Sequence, residues 1–133
     1  MSKQEPQTFE VAPYSDVDFG IAEAHKVIKQ IFADIARDAP AHAVWATMSG
    51  PQLKIIYHTY VVNLPQHRKI IEEQSNEIFK STISHLKKEF KSRTGKALKL
   101  TEEKEMANSA VEKVSLNERY YFRAWRFFTL GDF

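Results

Sequence analysis

Along most of this chain the hydrophobic residues recur at helical spacing, and a few glycines and prolines interrupt the pattern. Ile21, Ala24, Ile28, Ile31 and Ile35 lie on one line, with Val27 and Phe32 on its flank. That heptad-like stripe predicts an amphipathic helix packed on a core. Ser15 and Asp18 stand before it with the spacing of a helix start, and Asp16 and Asp18 suit the positive end of its dipole. Pro40 stops it, and Ala41 to Met48 reads as a short helix carrying Val44, Trp45 and Met48.

Ser49-Gly50 breaks the chain, and Pro51 fits a first helical position. Over 51–63, Leu53, Ile56, Tyr57, Tyr60 and Val61 define one helical face, while the β-branched pairs Ile55-Ile56 and Val61-Val62 leave a strand as the competing reading. Pro65 opens the longest element, with Ile71, Ile78, Phe79, Ile83, Leu86 and Phe90 along it, and Gly95 closes it in a left-handed cap. Thr101 starts a helix through Val114 with Met106, Ala110 and Val111 inward, and Ser115 or Asn117 starts a last helix that ends before Gly131. Residues 1–14, polar with Pro6 and Pro13, read as a flexible N-terminal arm whose Thr8 to Val11 can add a short strand. The predicted fold is all-α: one domain over 15–133, a bundle of about five helices with a long central helix at roughly 65–94.

At 133 residues, 43% hydrophobic and 27% charged, the composition is that of a soluble globular protein of one domain. With no cysteine, disulfides, thiolate metal sites and a cysteine nucleophile are excluded. The start of the chain lacks the charged, apolar and small-residue sequence of a secretory signal, and no apolar run reaches membrane-spanning length. The expectation is a cytoplasmic, soluble protein without a membrane partner.

Charge changes the picture because it is sorted. From 80 to 100, seven cations face the single anion Glu89; from 101 to 118, five glutamates face Lys104 and Lys113. An arginine-aromatic segment follows, Arg119 to Phe128. A net charge of only +2 hides this sorting, and local fields rather than the total select partners. Part of the pattern is helix physics: Glu72, Glu73 and Glu77 near the start of the long helix and Lys87, Lys88, Lys91 and Arg93 near its end complement the dipole, and Glu89 has the spacing to pair with Arg93. Lys96 and Lys99 lie beyond Gly95, outside that explanation. On a helix, Arg119, Phe122, Arg123 and Arg126 would share one face, with the other rings anchoring the bundle core. Arginines grip phosphates and carboxylates bidentately, and exposed rings stack on bases.

Catalytic signals are weak. Five histidines (His25, His42, His58, His67 and His85) form no metal-ligand spacing. Glu73 with Glu77, Ser81 with His85 and His85 with Glu89 are one turn apart, a coincidence common on polar helix faces. His58, among apolar neighbours, reads as a hydrogen-bonded, partly buried histidine. Four glycines, none in a phosphate-binding pattern, argue against a nucleotide loop. A helix-turn-helix over 101–118 is rejected, because its second helix would be acidic and repel phosphates.

The expectation is therefore a non-enzymatic interaction or assembly protein with no cofactor, no metal and no catalytic residue. Its basic face comprises Lys87, Lys88, Lys91, Arg93, Lys96, Lys99, Arg119, Arg123 and Arg126. The expected partners are a second copy, seated on the Ile21–Ile35 stripe and the long helix, or an acidic protein. The alternatives are a DNA- or RNA-binding accessory protein using the same cations, and an inhibitor docking on an acidic or nucleic-acid-binding protein.

Overall fold

A computed structural model describes residues 19–38, 43–114, 116–117 and 119–131. The expected N-terminal arm, the Thr8–Val11 strand and the caps at Ser15 and Ser115 lie outside the described residues. The elements run α1 (Ile21–Asp38), β1 (Ala43–Ser49), β2 (Gln52–Val62), α2 (Leu64–Thr94), β3 (Leu100–Lys113) and β4 (Arg119–Leu130). The strands form one antiparallel sheet in the order β1-β2-β4-β3. The five-helix bundle is therefore corrected: the architecture is α+β, two helices against a four-stranded sheet.

Both long helices form where the apolar spacing predicts them. In α1, Ala24, Val27, Ile28, Ile31 and Phe32 are buried. In α2, Phe79, Leu86 and Phe90 are buried in line, and Gly95 ends the helix with φ +76° and an N–H donated to the Lys91 carbonyl. Thr94 completes the ending, its hydroxyl donating to the Phe90 carbonyl at 2.8 Å. Asn63, in the left-handed region at φ 57°, precedes Pro65 at the helix start.

The other four expected elements are strands. Ser49↔Gln52 register places Gly50-Pro51 in a two-residue hairpin. Gly50 has φ +54°, and a proline cannot follow it with positive φ, so the turn belongs to the II′ class rather than opening a helix. For 51–63 the competing strand reading holds. The segment 101–114 is a strand although Glu, Lys, Met and Ala fill it, because it pairs with β4 over 100–103 and 108–113. Its burial is slight, as expected of an edge strand with water on both sides. β4 is central, paired with β2 on one side and β3 on the other, and its aromatic composition suits that position.

The core lies between the helices and one face of the sheet. Leu53, Ile55, Tyr57 and Val61 of β2 and Phe122, Ala124, Phe128 and Leu130 of β4 meet Ile28, Ile31, Phe79, Leu86 and Phe90 there. The Ile21–Ile35 stripe, expected to serve as an association seam, is consumed by this packing. Arg93 ties the helix layer together, reaching Asp34 of α1 at 2.6 Å and Glu89 at 3.1 Å.

Candidate interaction surface

In a strand, successive side chains point to opposite faces, and directly paired residues share a face. Since Leu53, Ile55, Tyr57 and Val61 face the helices, Lys54, Ile56, His58, Tyr60 and Val62 face away from them. Registration extends this outer face across the sheet. One row reads Trp45, Ile56, Trp125, Asn108; the next on one side Thr47, Lys54, Phe127, Glu103; on the other His58, Arg123, Ala110; then Tyr60, Tyr121, Glu112; and last Val62 with Arg119.

This face is apolar and aromatic without a helix over it. Ile56, flanked by the two tryptophans, is only 7% exposed, yet it stands apart from the helix-side core. Tyr60 and Val62 are 68% and 54% exposed. The rings touch one another: Trp45 meets the His58 ring edge-on at 4.6 Å, His58 meets Tyr121 at 5.0 Å, and Tyr60 meets Tyr121 at 5.1 Å. Cations sit on them, with Lys54 over Trp125 and Phe127 at 5.2 and 5.3 Å and Arg123 over Tyr121 at 5.2 Å. The Tyr121 hydroxyl and Nδ1 of His58 share a hydrogen bond. Partial burial, and secondly the Arg123 charge, hold the His58 pKa below its ordinary value, which favours the neutral ring. At one end the Gln52 amide donates to the Met106 sulfur at 3.7 Å.

The nine expected basic-site residues do not form one surface. Arg119 and Arg123 stand exposed on the outer sheet face. Lys87, Lys88 and Lys91 are exposed on α2, in the layer on the other side of the sheet. Arg93 is engaged by Asp34 and Glu89, which together with partial burial shape its environment. Lys96 lies over the Phe19 ring at 5.4 Å. Lys99 is exposed beside the carbonyl that accepts the Gly131 N–H. Arg126 points to the helix side, stacked over Phe79 at 4.8 Å and donating to Asn76. A helical Arg119–Phe122–Arg123–Arg126 face is thus corrected: strand alternation sends Phe122 and Arg126 inward and Arg119 and Arg123 outward.

Trp45, Lys54, Tyr60, Trp125 and Phe127 were missed as a surface. The signal was present: two-sided apolar strands in an antiparallel sheet with helices on one side leave an apolar face needing a cover. His58 is the hydrogen-bonded, partly buried residue its neighbours suggest. Among the described residues no cluster of three or more potential ligands could hold a metal ion, and no helix is long and apolar enough to cross a membrane. Compared with protein-family models, with curated proteins and with solved structures, the chain finds no match.

Proposed function

We propose that this protein is a non-enzymatic assembly module that pairs with a second copy of itself through the outer face of its sheet. The observation that carries this reading is the contiguous block Trp45, Ile56, Trp125, Phe127, Tyr121 and Tyr60, uncovered on the side away from the helices. Tryptophan, tyrosine, phenylalanine and arginine are the residues enriched at interface centres, where burial of a few anchors supplies most of the affinity. Two such faces stacked about 10 Å apart would make a four-layer sandwich, helices outermost.

Charge favours a copy over a polyanion. The face carries Lys54, Arg119 and Arg123 but also Glu103 and Glu112 on β3, both signs that a second copy can match. A nucleic acid would meet the two glutamates, and the cations already lie over the rings on which bases would stack. The basic groups in this reading are Lys54, Arg119 and Arg123, rather than the α2 block.

Sedimentation equilibrium tests it. The wild type should dimerise in the micromolar range; Trp125→Ala and Tyr60→Asp should be monomeric at the same concentrations, and Lys88→Glu with Lys91→Glu should dimerise as the wild type does. A strictly monomeric wild type at high micromolar concentration, in low and high salt, would sink the proposal. So would single-stranded oligonucleotide binding with a steep salt slope that Trp125→Ala abolishes, which would reassign the face to base stacking.

A further inference from the structure

The helix layer does not cover the whole inner face of the sheet. α1 packs on β1 and α2 on β2 and β4, while β3 lies beyond them with most of its side chains exposed. Between α2 and β3 runs a trench of two adjoining lobes, about 600 and 660 Å³, which share Asn76, Glu102 and Arg126. Its wall is opened by an irregularity in β3: Glu103 pairs with Phe127 and Asn108 with Trp125, so residues 104–107 stand opposite Arg126 alone.

The chemistry of the lobe nearer the middle of α2 is specific. Ile83 supplies partly exposed apolar surface beside the edges of Phe79 and Phe128, which are 4% and 5% exposed, and Lys80 (3.6 Å from Glu77), Lys87 and Arg126 outnumber Glu102. This lobe brings the basic block of α2 together with an arginine of β4. The Arg126 guanidinium, 4.8 Å from the centre of the Phe79 ring, donates one N–H to the Trp125 carbonyl at 3.1 Å and another to Asn76. Its five donors form a planar fork whose geometry suits a carboxylate.

We infer that this trench is a docking groove for an acidic amphipathic helix of a partner protein. A helix laid beside α2 at the usual 8–10 Å separation would complete the layer over β3. Its apolar stripe would rest on Ile83 and the edges of Phe79 and Phe128 while its carboxylates reach Lys80, Lys87 and Arg126. Glu102 and, in the other lobe, Glu72 oppose a polyanion with phosphates on every side. The groove lies on the face opposite the self-association surface and does not depend on it, so one chain could hold a copy and a partner helix together.

Selection from a displayed library of short helical peptides on the immobilised full-length chain tests the inference. Winning peptides should carry Asp or Glu beside an apolar stripe at i, i+3, i+4 spacing. A synthesised winner should bind Lys80→Glu/Lys87→Glu roughly tenfold more weakly than the wild type, since both lysines are exposed and each contact is a surface ion pair reversed in sign. Its Lys-for-Glu counterpart should show the opposite preference, and Trp125→Ala should bind like the wild type. No enrichment, winners without acidic residues, or equal affinity for the double variant would overturn the inference. Loss of binding in Trp125→Ala alone would move the contact to the outer face and overturn it as well.

Discussion

Phe122 and Trp125 are three residues apart on β4, on opposite faces of the sheet, and truncating each separates a strand from a helix. Phe122 is 1% exposed inside the helix-side core, so Phe122→Ala should cost about 3–5 kcal/mol, the lost transfer energy plus a cavity. Unfolding entropy of about 2.1 cal/mol/K per residue over 133 residues gives about 0.28 kcal/mol/K, and the melting temperature should fall by roughly 10–18 °C. Trp125 is partly buried beside Ile56 on the outer face, and Trp125→Ala should cost no more than about 1.5 kcal/mol, or roughly 5 °C. Both should be read by circular dichroism during thermal and urea unfolding, at dilution where the wild type is monomeric, because pairing adds apparent stability. Urea midpoints should shift with unchanged slopes. If Trp125→Ala costs as much as Phe122→Ala in the monomer, the outer rings belong to a core and the two-faced reading of β4 fails.

Three further outcomes follow from individual contacts. His58 has a pKa lowered from 6.5 by burial and Arg123, so below pH 6.5 the unfolded chain binds more protons and stability falls as acid is added; His58→Gln should flatten that part of a stability–pH curve, on top of a pH-independent loss from the ring contacts with Trp45 and Tyr121. Gly95 holds φ +76° with nothing within 4 Å of a built Cβ, so Gly95→Ala should destabilise by about 1 kcal/mol through backbone conformation alone, and Gly95→Asn by less, measured by urea titration. Arg93, by its hydrogen bond, is the main cause of the lowered Asp34 pKa; that stability is present above 3.8 and lost as pH falls below it. Arg93→Ala should reduce this acid-range slope, leaving the part due to Gln30 and Arg37, and destabilise more than Lys91→Ala.

Two helices were legible because each has one apolar stripe and a clear stop, Pro40 after the first and Gly95 after the second. The strands were hidden for different physical reasons. β2 and β4 are apolar or aromatic on both faces, so the alternation that marks a half-buried strand is missing, and the rings fit a helical spacing equally well. β3 is polar on both faces and built from strong helix formers; only its pairing with β4 makes it a strand, a tertiary effect that overrides local propensity. The basic site was misassembled for the same reason. Arg119, Arg123 and Arg126 lie together on a helix but part on a strand, while Lys87 and Arg126 meet across a trench that no sequence window contains. The rings of Arg119–Phe128 were expected in the core; Phe122 and Phe128 are there, and Tyr121, Trp125 and Phe127 lie on the outer sheet face.

The central claim, that the chain assembles through that face, is tested most directly by electron–electron distance measurement on spin-labelled protein. The absence of native cysteine makes single-site labelling clean. A label at Thr47→Cys on the outer face and one at Lys88→Cys on α2 should give different intermolecular distances. Face-to-face pairing separates the two α2 helices by two sheet–helix layers and the sheet–sheet gap, about 30 Å or more. The account predicts the shorter distance for the Thr47→Cys label; a shorter distance between α2 labels, or no intermolecular coupling at high micromolar concentration, would contradict it.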